Sequence, residues 1–216
     1  ATVKLNGNGN ADGSATLVGG IQKDTFNVIF SIASADTPDF VSITGGRRSD
    51  TYTFGFEDKL DENDEPIEPD RSAVVIIEDY VASGSEADVM KADDTGGALV
   101  FLKFEGIDAT TGPLGGLLGG GTPGASPEQQ AAALLIDAGI SSTAVAGDIT
   151  FVYVKNDEVD EDPDFKTFFT FGDDLYVLAG SDGVADGTLD GGEILFQFVG
   201  LSSPDGISSD GINFVA

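Results

Sequence analysis

Four carboxylates crowd into twelve residues near the end of the chain: Asp182, Asp186, Asp190 and Glu193, in the run DGVADGTLDGGE around Gly187. Acids this close together about a glycine turn present hard oxygens at adjustable distances. That chemistry holds a divalent cation such as calcium, whose shell takes about six to eight oxygens. An acidic, glycine-rich turn with no ion is the plainer alternative. Other chemistry has little to work with. The 216 residues include no cysteine and no histidine. Thiol catalysis, thiolate metal sites, disulfides and the usual neutral-pH general base are therefore all excluded.

The run resembles the calcium loop of EF-hand and dockerin-like modules, over these twelve residues only. The resemblance implies that Asp182 opens the loop and that Asp186 and Asp190 supply inner ligands. Thr188 would give its backbone carbonyl, and Glu193 would close the shell with both oxygens. Leu189 falls where such loops anchor to a core. Val184 falls where a further oxygen is expected and offers none. The flanks, Leu175 to Leu178 and Ile194 to Val199, read as strands where an EF-hand has helices. A weaker half-loop, Asn8 to Gly13, has no closing Glu and reads as an Asn-Gly turn.

Three enzyme signatures fail on their surroundings. Asp94-Thr95-Gly96 matches the aspartic-protease triplet, but it follows Lys91-Ala92-Asp93 rather than an apolar strand and has no second copy. The glycine-rich stretch near Gly115 lacks the Gly-Lys-Ser/Thr ending of a phosphate loop. The 38 acids ensure that some carboxylate pair has glycosidase spacing, but there is no Trp to stack on a sugar ring. The reading is a protein without a catalytic site.

Charge narrows the partners. Ten Lys and Arg against 38 acids give a net charge of −28 and a pI near 4.1, which disfavours nucleic acid and anionic membranes. No apolar run is long enough to cross a bilayer, so membrane insertion is not expected. The chain opens on Ala1 rather than Met, which fits a processed, exported protein of the extracellular space or cell surface.

The elements that would position these residues are strands. Phe26, Val28, Phe30 and Ile32 alternate with polar positions, as do Tyr52, Phe54 and Phe56, then Ile149, Phe151 and Tyr153, then Ile194, Phe196 and Phe198. Ala73 to Ile77 and Ala98 to Leu102 are short apolar runs suited to buried strands. One helix is expected near 127–138. There Ser126-Pro127-Glu128-Gln129 supplies a capping box with Pro at the first helical position, and Gly139 stands ready to end it. A glycine-rich crossover plus this helix would span about 106–148 of a single 1–216 domain. The predicted fold is all-β, an antiparallel sandwich of jelly-roll or Ig-like type. The segments 53–66 and 150–163 echo each other, each an aromatic strand running into an acidic, proline-closed loop; convergent hairpin chemistry accounts for this about as well as duplication does, so no repeat fold is inferred.

The functional expectation is an acidic structural protein that assembles with copies of itself into a fibre, surface layer or biofilm matrix, with calcium as its cofactor. A calcium-dependent adhesion or carbohydrate-binding module is the alternative. Short alternating segments at both termini suggest strands exchanged between subunits, with Val3, Leu5, Ile212 and Phe214 as the assembly residues. Arg47-Arg48, the one adjacent basic pair, lies after a Gly-Gly turn, either as a solvated turn or as a docking point for a neighbour's acidic loops.

Overall fold

The computed structural model describes residues 2–5, 13–32, 37–57, 60–82, 84–92, 100–101, 103–104, 125–152, 168–180, 184–202 and 212–213. Strands β1 (Thr2–Leu5), β2 (Ser14–Val18), β3 (Thr25–Phe30), β4 (Asp39–Thr44), β5 (Thr51–Phe56), β6 (Ala73–Ile77) and β7 (Val89–Ala92) alternate between two sheets. Odd-numbered strands build one sheet, even-numbered strands the other, and within each the neighbours run parallel. Parallel strands need a long crossover, usually a helix. Here the crossover is a strand of the opposite sheet. The chain therefore winds as a coil, each turn hydrogen-bonded to the last, in the manner of solenoid proteins.

The turns stack in register. Ser14 pairs with Phe40 and Thr25 with Thr51, an offset of 26 residues that also links Gly13 to Asp39 and Asp24 to Asp50. Like residues consequently fall on like residues. Phe26 stacks on Tyr52 with ring centroids 5.4 Å apart and planes 11° apart, and Phe30 lies 5.7 Å from Phe56.

The second half closes the coil. It contributes β8 (Val100–Phe101), β9 (Lys103–Phe104), helix α1 (Pro127–Asp137), β10 (Ile149–Val152), β11 (Phe168–Phe171), β12 (Asp174–Gly180), β13 (Val184–Ala185), β14 (Ile194–Phe198) and β15 (Ile212–Asn213). The first sheet runs β1-β3-β5-β7-β15 and is parallel throughout. The second runs β10-β11-β12-β14-β6-β4-β2. It is antiparallel from β10 to β14 and parallel from there to β2. β8 adds to β12, and β9 pairs with β13. The architecture is mixed α/β, which corrects the expected all-β antiparallel sandwich. The reason is physical: two-residue alternation marks which face is buried and is the same for either strand direction.

Two apolar layers hold this together. Between the sheets lie Phe26, Val28, Phe30, Tyr52 and Phe54 from one side and Val41, Ile43, Val75, Ile77, Val177 and Phe196 from the other. Phe54 meets Phe196 edge-on at 5.2 Å. On the far face of the second sheet, α1 buries Ala131, Leu134 and Leu135, with Ala138 just past its end, against Val74, Phe169, Tyr176, Leu178 and Leu195. Ser126 caps this helix. Its hydroxyl accepts from Gln129 N, and the Gln129 side chain accepts from Ser126 N. The crossover expected before the helix, 106–124, lies outside the described residues, as do Tyr153 and the acidic segments 157–164 and 205–210. Among the described residues no helix is long and apolar enough to cross a membrane.

Candidate functional site: a carboxylate ladder and an acidic closing loop

Backbone that turns from one sheet into the other leaves its N–H groups without a sheet partner, and buried donors must find acceptors. Aspartates supply them, turn by turn. Asp24 N donates to Asp50 Oδ1 at 2.7 Å, and Asp50 N donates to Asp88 Oδ1 at 2.7 Å. Gly20 N donates to Asp24 Oδ2, and Val81 N to Asp88 Oδ2, both at 2.8 Å. Gly45 N and Gly46 N reach Asp79 Oδ1 and Oδ2, also at 2.8 Å. A column of carboxylates thus runs down one corner of the coil just before β3, β5 and β7.

The local sequence explains why. Gly-Gly, three residues, Asp-Thr and an aromatic recur at Gly19 to Phe26 and Gly45 to Tyr52. Gly46 has φ +101°, a conformation that costs glycine little, and an added Cβ would overlap the Gly20 carbonyl of the turn above. Gly45 makes room for the Asp50 carboxylate and the Tyr52 hydroxyl, both of which a Cβ there would overlap. Among the described residues, Asp50 Oδ2 and the Tyr52 hydroxyl are buried without a hydrogen-bond partner.

Charge density this high in a buried corner shifts protonation. Burial, more than any neighbour, pushes the Asp88 carboxyl up to about 6; the charges of Asp50 and Asp79 add to this, and the N–H groups of Asp50 and Val81 oppose it. Burial likewise raises Asp50, against the N–H of Asp24 and with the charges of Asp24 and Asp79. The hydroxyls of Tyr52 and Tyr80 are pushed up as well, chiefly by burial and then by Asp88. Chemically, the ladder's carboxylates accept from turn N–H groups, and burial makes Asp50 and Asp88 hold their protons more readily than exposed aspartates. Sequence reasoning missed it, although the 26-residue recurrence is present in the chain.

A second corner, before the even-numbered strands, carries a buried ion pair. Arg71 Nη1 lies 2.7 Å from Asp39 Oδ1, and both side chains are fully buried. Asp39 Oδ1 also accepts from Gly13 N at 2.8 Å, one turn above. The Arg71 carbonyl accepts from Gly192 N at 3.0 Å, one turn below.

That last bond leads into the expected calcium loop. Asp182 lies outside the described residues. Asp186 Oδ1 accepts from Thr188 N at 3.0 Å and from the Thr188 hydroxyl, which also reaches Asp190 Oδ2 at 3.2 Å. Leu189 is buried in the helix-side core, and its N–H donates to Asp137 Oδ2, at the end of α1, at 2.9 Å. Gly187, at φ +99°, passes close to Gln130 and Ala133 of the helix. Glu193 is buried at the second corner, where its Oε2 accepts from Asp190 N at 2.9 Å and its carbonyl from Ala73 N at 3.0 Å. The structure thus brings Asp186, Thr188 and Asp190 together and turns Glu193 back onto the loop's own backbone. Among the described residues no group of three or more Asp and Glu side chains is arranged to hold a metal ion. Its described part acts as a clasp that ties α1 to the coil.

The assembly residues divide in the same way. β1 pairs with β3, placing Val3 in register with Val28 and Leu5 with Phe30, and β15 pairs with β7, placing Ile212 in register with Met90. Phe214 lies outside the described residues. Arg47 and Arg48 are exposed at the β4–β5 turn. Comparison with protein-family models, with curated proteins and with solved structures gives no match.

Proposed function

We propose that this is an acidic structural protein that assembles with copies of itself into a fibre, layer or matrix outside the cell. The observation that carries the reading is the order of the first sheet. All its strands run the same way, and the two ends of the chain, β1 and β15, lie at its opposite edges. A parallel coil is a stack of turns with a sheet edge at each end, and a further copy can stack on such an edge as one turn stacks on the next. The contact does not close on itself, so growth is open-ended. The net charge of −28 opposes this in dilute solution and is screened by salt or bound cations. Calcium at the Asp186–Glu193 loop would serve the same end.

Electron microscopy of the purified protein at raised salt, with calcium and with chelator, tests this reading. Filaments or sheets are expected in calcium, and their survival in chelator would separate assembly from calcium binding. Single particles under every condition would remove the assembly reading and favour the calcium-dependent adhesion or carbohydrate-binding module.

A further inference from the structure

The mixed sheet has two open edges among the described residues, β2 at one end and β10 at the other. Edge strands in soluble proteins are normally protected by charge, proline or a bulge, because an open row of N–H and C=O groups templates pairing. These two are not. β2 reads SATLV and β10 reads ITFV, without one charged residue or proline, in a chain where 22% of residues are charged.

The edges also fit one another. β10 runs antiparallel to β2 through the alternation of β11, β12 and β14. If one copy is stacked on the next by translation, the end of β2 meets the start of β10. Beside the end of β2 stand Val18, 72% exposed, and Ile21, 68% exposed. Beside the start of β10 stands Val145, 56% exposed.

Charge matches in the same sense. Lys23, Arg47 and Arg48 are exposed at the turns that follow β2 and β4, and Asp148 is exposed immediately before β10. Residues 1–50 hold four Lys and Arg against five Asp, a net charge of −1, and the remaining six against 33 give −27. The β2 end thus belongs to the nearly neutral part of the sequence, which a second copy approaches without strong repulsion.

The buried faces agree too. Ala15 and Leu17 of β2, and Val152 of β10, are partly buried and all pack toward the inter-sheet core. Ala15 and Leu17 head columns whose next members, Val41 and Ile43, are fully buried. A neighbouring β10 would extend those columns by one rung.

Resting on the assembly reading above, we propose that β2 of one copy pairs antiparallel with β10 of the next, continuing the mixed sheet head to tail. The occupant of the β2 edge is a second copy of this chain. Gly13 accepts from Phe40 and Gly19 donates to Thr44. The odd positions of β2 thus face β4, and the N–H groups of Ser14, Thr16 and Val18 face the open edge.

Sedimentation velocity at moderate salt, over a range of protein concentrations, tests the pairing. The unaltered chain should show a series of oligomers growing with concentration. Val18→Lys, on a side chain that is already exposed, should weaken association by about tenfold or more and leave the thermal melt unchanged. The triple variant Lys23→Glu, Arg47→Glu, Arg48→Glu should do the same, and adding Asp148→Lys should restore part of the loss. Oligomers that form equally well in the Val18 and charge variants overturn the edge pairing but leave the assembly reading standing. A dimer that grows no further overturns the head-to-tail mode. A monomer at every concentration overturns the assembly reading itself, and this proposal with it.

Discussion

Replacing Arg71 with Met should be the most damaging single substitution in the coil, costing roughly 3–5 kcal/mol. The guanidinium meets Asp39 at 2.7 Å with both side chains fully buried. Methionine fills similar space but leaves a carboxylate in the interior without that positive charge. Removing one member of a buried pair costs far more than the pair contributes as a whole, since the remaining ion has lost both water and its counter-charge. For a chain of this length the melting temperature should fall by roughly 10 °C. A cycle separates charge from packing. Adding Asp39→Asn to Arg71→Met removes the buried charge and keeps an acceptor for the N–H of Gly13, so much of the loss should return. A cost near zero for Arg71→Met, or a double variant that is simply the sum of two losses, would show that the pair does not hold the corner.

Mild acid should stabilise the protein. In the folded coil the Asp88 carboxyl is pushed up to about 6 from an ordinary value of 3.8, and Asp50 is raised with it. The native state therefore binds protons more tightly than the unfolded chain. As pH falls from about 6 toward 3.8, the native ladder takes up protons that the unfolded chain does not, and stability rises. As pH rises through the same window that gain is lost, and above it the fold carries the cost of buried like charges. Asp61 works the other way. N–H groups of Glu65 and Asn63 hold its carboxyl below the ordinary range, so its contribution is lost as pH falls through that lowered value. The optimum should lie on the acid side of about 6, where the fold has begun to protonate Asp88 and the unfolded chain has not. A shift of about two units is worth ~3 kcal/mol at full effect; because pH 4.5 stops short of the ordinary value of 3.8, and with a discount for screening, ~1 kcal/mol is expected. Thermal melts between pH 4.5 and 8 at constant ionic strength should therefore rise by roughly 2–4 °C on acidification. Asp88→Asn should flatten the profile by removing the larger titration. A melting temperature that is highest at pH 8, or a profile unchanged by Asp88→Asn, would contradict the ladder as described.

Some of this architecture was legible in the chain, and the reason for the rest is instructive. Alternation correctly marked Phe26, Val28 and Phe30, then Tyr52, Phe54 and Phe56, then Ile194, Phe196 and Phe198, as buried positions, because burial of one strand face is a local property. The capping box at Ser126 gave the start of α1 for the same reason: cap chemistry is complete within four residues. Strand direction is not local. It depends on whether the chain returns to the same sheet or crosses to the other, and a turn such as Gly45 to Asp50 looks like a hairpin connection from composition alone. The 26-residue offset, with Gly-Gly and Asp-Thr-aromatic at fixed places, carries that information. The more conspicuous echo between 53–66 and 150–163 does not, since Thr53 to Phe56 and Thr150 to Val152 lie on different sheets. In the acidic loop, single residues answer to the fold as well as to the ion the sequence suggested. Gly187, Leu189 and Glu193 sit where a calcium loop would have them, but helix contact, core packing and the coil corner each account for one of the three.

Open-ended growth of a coil of constant width can be followed by small-angle X-ray scattering on a concentration series at raised salt. Forward scattering should rise with concentration while the cross-sectional radius of gyration stays constant, as copies add only at the two ends. Forward scattering that stays at the monomer value, or a cross-section that thickens as the mass grows, would contradict it.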